Sequence, residues 1–313
     1  MLTGPPGGVP DPDPKPESQP APASDPQPED RWVSAHVFTG HPLDLVVRAL
    51  LPDAVAELRR RGLADRFFFL RHWQGGPHLR LRVRLTTPAA EPAVRTTLDA
   101  HAAAFFRARP PSPAMTEGQY QALARQLAAQ EPESEPGTLA PHDSLAFHPY
   151  RPEHGKYGRG AALRAVEDAF ATCSELAVAA VLAGWGPARR AAHCFALLTG
   201  SLDAGVAPDL LARYGDRRAA LLTVARAARA QAPAEAAGQA GADPVHQWLA
   251  ACRNAQRRSA LPDRLAGHLT HLACNRLDVR LGQEATLRGL ALLAVAELTG
   301  AGGPARHDGA APP

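Results

Sequence analysis

Arginine and histidine side chains recur in this chain at spacings that could close on a small anion. The stretch 67–85, FFFLRHWQGGPHLRLRVRL, reads as two strands joined by Gln74-Gly75-Gly76-Pro77, whose paired glycines and proline suit a tight reversal. Alternation in the second strand points Leu79, Leu81, Val83 and Leu85 to one face and His78, Arg80, Arg82 and Arg84 to the other. Guanidinium groups two residues apart stand roughly 7 Å from each other, so two could grip one dianion or two nearby carboxylates. A solvated sheet face is the plainer reading of such a strand. Against it, Phe67, Phe69 and Trp73 share a strand face with Arg71, which predicts at least one partly enclosed arginine. An enclosed arginine needs an anion.

A second set of polar groups lies in 262–277, which reads as helix. At 100° per residue Leu261, Leu265, Leu269 and Leu272 fall within about 80° of one another, and His268, His271 and Asn275 occupy the adjoining arc. Arg276 lands inside the leucine sector, where a charge is costly without a partner. Boundary histidines often donate a single hydrogen bond, and a terminal arginine can cap carbonyls. Metal binding is not expected, because His268-x-x-His271 lacks a third ligand and the glutamate of H-E-x-x-H.

The elements that would hold these groups combine strands and helices. Order begins at Arg31, where the run to Phe38 is β-rich, and 42–63 follows as a helix ending in Arg59-Arg60-Arg61-Gly62. Helices are expected over 91–106 and 117–130, then a proline- and acid-rich loop without regular structure through 131–149. From Ala161 the chain turns alanine-rich and helical: Leu163, Val166, Phe170, Cys173 and Ala177 form one stripe, with further helices over 187–198, 208–230 and, last, 262–277. A loop is expected over 231–243. The fold class is therefore α+β, a mainly antiparallel sheet with packed helices and a helix-rich C-terminal half.

Composition narrows the partners. The chain has 313 residues, is 45% hydrophobic and 21% charged, and carries a formal charge of +3, too mild to imply nucleic acid. The longest apolar run, near 177–183, is far short of the roughly 18 residues of a membrane span. The N-terminal stretch has no basic segment followed by an apolar one, so secretion is not expected. Cys173, Cys194, Cys252 and Cys274 lie far apart without metal-ligand spacing and read as reduced core residues of a cytoplasmic protein. Neither a dinucleotide fingerprint nor a phosphate-binding loop is present, so no organic cofactor is expected. Residues 1–30, with about ten prolines, read as a disordered tail, as do residues 301–313.

Between the strands and the helices lies PYRPEHGKYGRGAA, residues 149–162, too rich in aromatics and charge for a linker. With FFFLRHWQGGPHLRLRV and HLTHLACNRL it resembles the three signature stretches of the thiopeptide-type bacteriocin biosynthesis domain, the C-terminal domain of class I lantibiotic dehydratases. The resemblance runs from about Trp32 to Leu298 and implies a single elimination-type domain over 31–300. In that family a large partner esterifies Ser or Thr of a precursor peptide with glutamate from glutamyl-tRNA. The small domain then eliminates glutamate, leaving dehydroalanine or dehydrobutyrine.

The resemblance implies a cytoplasmic lyase whose partners are a glutamylated precursor peptide and a larger glutamyl-tRNA-dependent subunit, with no membrane and no direct nucleic acid contact. Self-pairing as a homodimer is left open. Elimination needs an α-proton acceptor and a hold on carboxylates, roles suited to histidine and arginine. Arg80 is expected as the main glutamate clamp, with Arg71 and Arg82 helping, and His271 as the acid/base group. His78, Asn275 and Arg276 would bind or orient substrate, and Tyr150, Glu153, Lys156 and Tyr157 would form the rim. Lys156 stands where the family has arginine, and Gly158-Arg159-Gly160 replaces the common double glycine. Lysine loses the bidentate fork.

Two other functions fit the same residues. Free-standing relatives include pyridine synthases, which join two dehydroalanines by formal aza-cycloaddition and release the leader peptide. That reaction needs positioning and proton transfer without a glutamate clamp. A non-catalytic module could instead dock on a dehydratase and present its arginine strand to an acidic peptide.

Overall fold

Trp32–Phe38 forms β1, and every residue in it is buried. It lies between two antiparallel partners, β3 (His78–Leu85) and β4 (Ser144–His148), while β2 (Ala64–His72) pairs with β3 at the far edge. The order β2-β3-β1-β4, together with the helices around it, makes the α+β architecture expected from the sequence. These elements come from a computed structural model that describes residues 31–128, 137–201, 222–226 and 244–298. The expected tails, the 231–243 loop and most of the 208–230 helix lie outside the described residues.

Register sorts the hairpin into two faces. Phe68 pairs with Arg82, Leu70 with Arg80 and His72 with His78, so these six share one face. Phe67, Phe69 and Arg71 pair with Val83, Leu81 and Leu79 on the other. In the connecting turn Gly75 and Gly76 adopt φ of 80° and 104°, a region that glycine enters without steric strain.

The apolar face is covered by α1 (Leu43–Ala49), α2 (Leu51–Arg60) and α3 (Glu91–Arg107). Arg59 of α2 lies over Phe67 at 5.7 Å and Arg95 of α3 over Phe147 at 4.6 Å. The single helix expected over 42–63 is in fact two. The chain breaks at Leu50 (φ −120°), just before Pro52, which has no N–H for a continuing turn. At its far end Gly62 takes φ 64°, and Leu63 N–H reaches back to the Leu58 carbonyl at 2.9 Å.

A second correction concerns β4. It forms inside the stretch expected to lack regular structure, after α4 (Glu117–Ala128), because Leu145 and Phe147 alternate with polar neighbours and β1 offers an edge.

Beyond α5 (His154–Tyr157) the chain is helical: α6 (Ala161–Leu182), α7 (Pro187–Ser201), α8 (Pro244–Gln256), α9 (Pro262–Arg276) and α10 (Leu281–Leu298). The predicted stripe of α6 is buried. Ser174 Oγ on α6 accepts the Phe69 N–H at 3.1 Å, which satisfies part of the β2 edge. α9 docks on the same edge, as Asn275 accepts from Arg71 N–H and donates to the Arg71 carbonyl, both at 2.9 Å. The amide copies a neighbouring strand and protects the edge. Helix continues past 277, contrary to expectation, because α10 packs on α7 with Ala291, Leu293, Ala294 and Val295 buried. All four cysteines are free and buried. Among the described residues no helix is long and apolar enough to cross a membrane.

Candidate active site

Over the polar face of the hairpin lies a cavity of about 590 Å³. The sheet supplies Phe68, Leu70, His72, Arg80 and Arg82 to its wall. The segment around α5 supplies Tyr150, Glu153, Lys156 and Tyr157, and α9 supplies His268, His271 and Asn275. Arg80 and His271, 191 residues apart in a chain numbered continuously, face one hollow. The helices that cover β2 bring them together.

Arg82 is the unusual cation of the set. Its guanidinium lies 5.4 Å from the Phe68 ring centroid and 5.1 Å from that of Tyr150. Its Nε is buried and has no hydrogen-bond partner among the described residues. Burial lowers its pKa, offset in part by Tyr150, yet a guanidinium stays charged in any protein environment. Aromatic faces attract it without neutralising it. The group is a half-buried positive charge presented to a cavity.

Arg80 is held by its neighbours. Its Nε donates to His78 Nε2 and its Nη2 to Gln74 Oε1, both at 3.1 Å. His78 Nδ1 donates to the Gly76 carbonyl at 2.8 Å, which leaves Nε2 as the acceptor. The His78 ring, expected to bind substrate, is fully buried and off the cavity wall, supporting Arg80 from behind. His36 and His78 stack at 5.0 Å, and His72 lies 5.4 Å from His78. Burial, with the charges of Arg80 and other neighbours, depresses these imidazoles to about 2 for His36, about 2 for His72 and about 3 for His78. They are neutral at ordinary pH.

Arg71 and the Asn275-Arg276 pair are engaged within the fold. Arg71 touches the cavity wall, but its Nη2 donates to Asp44 at 2.6 Å and to the Arg276 carbonyl at 3.2 Å. Asp44 is held from its other side by Arg190 at 2.6 Å. Although burial pushes Asp44 up, these two arginines keep its carboxyl below the usual range. Arg276 is wholly buried and off the wall, with Nε on Ser174 Oγ at 3.0 Å and the guanidinium 5.0 Å from the Phe170 ring. Asn275 spends its amide on the β2 edge. These groups knit α9 to the sheet.

His271 brings a partner that sequence reasoning missed. Its Nδ1 lies 2.8 Å from Glu284 Oε2 on α10, and Arg288 holds the other carboxylate oxygen at 3.0 Å. Burial works against the Glu284 charge, yet the bonds from His271 and Arg288 hold its pKa below the ordinary value. With Glu284 ionised, Nδ1 carries the proton and Nε2 is the basic nitrogen. The signal was available: Glu284 and Arg288 stand four apart on one helix face, but only once 281–298 is read as helix.

The remaining rim groups are aromatic and mutually braced. Tyr150 donates to Glu167 Oε1 at 2.9 Å, a carboxyl that burial raises to about 7. Burial also pushes the Tyr157 phenol to about 12. Lys156 pairs with Glu153 at 2.5 Å. His268 is lowered by burial and then by Lys156. Among the described residues no cluster of three or more His, Cys, Asp and Glu side chains could hold a metal ion.

Three comparisons bear on this arrangement. A family model described as the C-terminal part of the lantibiotic biosynthesis dehydratase matches residues 32–295. No curated protein matches. Among solved structures, the pyridine synthase TbtD from thiomuracin biosynthesis is similar with a TM-score of 0.66 at 23% identity, over 87% of this chain and 99% of that one. The tRNA-dependent lantibiotic dehydratase MibB from Microbispora sp. 107891 gives 0.52 at 22% identity, over 91% of this chain but 29% of its own. TsrL gives 0.53 at 18% identity, over 86% and 95%. At these identities the likeness is one of fold.

Proposed function

The chain belongs to the lantibiotic dehydratase C-terminal family, and on that footing we propose that it tailors a ribosomal peptide by eliminating glutamate from glutamylated Ser or Thr. The observation that carries this reading is Arg82, a half-buried guanidinium without a carboxylate partner among the described residues, facing the same cavity as the His271–Glu284 pair. A glutamyl ester brings the missing charge.

In the proposed reaction His271 Nε2 removes the α-proton of the acylated residue, and Glu284 stabilises the imidazolium that forms. The Cα–H electron pair becomes the Cα=Cβ bond as the Cβ–O bond breaks. Glutamate departs with both carboxylates, one held by Arg82 and steadied by Arg80 from the adjacent position. Arginine fixed before substrate arrives stabilises developing charge without reorganisation at the moment of reaction. Lys156 and Tyr157 contribute polar hydrogens at the rim.

Formal cycloaddition of two dehydroalanines would leave Arg82 without an anion, so the unbalanced cation favours elimination. A docking role would not require an oriented histidine with a buried carboxylate behind it. The partners in this reading are a glutamylated precursor and a larger subunit that supplies the glutamyl ester. The test is direct: incubate the chain with a glutamylated precursor and follow its mass. Loss of glutamate with formation of the dehydro residue is expected, and an unchanged adduct in the presence of folded protein would reject the assignment.

A further inference from the structure

Behind the cavity wall sits a carboxylate to which this mechanism gives no task. Glu167 of α6 is 3% exposed and off the cavity wall. Its Oε1 accepts the Tyr150 hydroxyl at 2.9 Å, and it also accepts from the Trp32 indole on β1. Tyr150 in turn presents its ring to the Arg82 guanidinium at 5.1 Å and lies 5.9 Å from Trp32. A buried carboxylate, a phenol and an unpaired guanidinium therefore stand in sequence from the protein interior to the cavity.

We propose that Glu167 is a positioning residue that acts through Tyr150 to hold Arg82 in the orientation that receives a substrate carboxylate. This rests on the elimination reading for the identity of the ligand. The physical basis is the direction of one hydrogen bond. Ionised Glu167 is acceptor-only, so the phenol must donate to it, and that pull fixes the ring and enriches its face toward Arg82. Protonated Glu167 can itself donate to the phenol oxygen, which frees the Tyr150 hydrogen and slackens the ring. The groups facing Glu167 from the elements around it are Tyr150, the Trp32 indole, Arg84 of β3 and Asp168 of its own helix. Arg84 is itself engaged with Asp65 at 2.6 Å. Burial, the largest influence, raises Glu167 to about 7, so the bond would reverse near neutrality.

Two readouts test this. The chain has four tryptophans, so the Trp32 indole N–H signal can be assigned by Trp32→Phe and followed by NMR between pH 6 and 8. It should shift with a midpoint near 7 in the wild type and in Tyr150→Phe, and stay flat in Glu167→Gln. The Kd of a fluorescent glutamylated precursor should rise about fivefold as pH falls from 8 to 6 in the wild type, the size expected for losing one ordinary hydrogen bond. Glu167→Gln should bind more weakly at both pH values without that dependence. Adding it to Tyr150→Phe should weaken binding no further. A Glu167→Gln protein that keeps the wild-type pH dependence, or a double variant whose losses multiply, overturns the proposal, as does a Trp32 signal that never moves. Thermal melts confirm that each variant is folded. If the precursor is not turned over at all, the elimination reading falls, while the Trp32 signal still decides the Glu167 arrangement.

Discussion

Arg71 and Arg82 stand on adjacent strands of one hairpin, yet the protein neutralises the first and leaves the second bare. Arg71 is buried against the apolar side, where Asp44 and the Arg276 carbonyl take its hydrogens. Arg82 faces the cavity between two aromatic rings, with its Nε unsatisfied. A guanidinium whose charge is balanced inside the fold can serve the scaffold. One that is partly desolvated and unbalanced lowers stability until an anion arrives, and Arg82 carries that cost at the wall of a cavity. The same alternation that buries Leu79, Leu81 and Val83 sends Arg80 and Arg82 the other way.

The largest effect should come from the group the arginines serve. His271→Ala is expected to lower turnover of a glutamylated precursor about a thousandfold while leaving its binding nearly intact, the usual scale for losing a general base. Glutamylated peptide would then accumulate in a mass spectrum. Unchanged product formation would mean that His271 is not the proton acceptor, and the mechanism built on the His271–Glu284 pair would fall.

Next come the arginines themselves, which should separate cleanly. Arg82→Met is expected to cost about a hundredfold in kcat/KM, on the order of one charge-assisted contact, with unfolding stability unchanged or higher. Arg71→Met should do the reverse. It leaves Asp44 with Arg190 alone and the Arg276 carbonyl unpaired, so stability should fall by about 2 kcal/mol while turnover per folded molecule changes little. Denaturant melts and steady-state kinetics on both variants check the crossing. If both lose activity alike and stability alike, the two arginines belong to one network.

How far the sequence reveals this difference depends on where each partner comes from. Alternation alone identifies the face of Arg80 and Arg82, because strand geometry is local. The fate of Arg71 is set by Asp44, Arg190 and Asn275, which lie far along the chain and come together only when α1, α7 and α9 pack around β2. Glu284 was hidden for a related reason, since a helix that is apolar nearly all round gives little periodic signal. Strand β4 was masked by flanking prolines and acids, and its pairing needs the β1 edge. The tertiary contacts of the motif residues Asn275 and Arg276 were not legible. Their spacing shows a helix face, and only tertiary contact shows what meets it.

The smallest effect concerns what surrounds the bare cation, and it turns on the sign of a proton balance. His36, His72 and His78 lie under the arginine face and stay neutral because burial and nearby positive charge depress them to about 2, 2 and 3. Unfolded imidazoles titrate near 6.5. Between those values the unfolded chain binds protons that the folded chain refuses, so stability is fully present above about 6.5 and is lost as pH falls toward 3. Glu167, raised to about 7, works in the opposite sense between its unfolded value and 7 and offsets about one of the three. His36→Phe removes one imidazole from a pocket of rings, where among the described residues only Ser34 lies within hydrogen-bond distance at 3.4 Å. Between pH 6 and 4 the slope of unfolding free energy should become shallower by about 1.4 kcal/mol per pH unit, one proton's worth. A slope equal to that of the wild type would mean that His36 takes up its proton beside Arg80 in the folded state. The arginine face would then tolerate more positive charge than its bare Arg82 implies, and the distinction between the two ends of the hairpin would narrow accordingly.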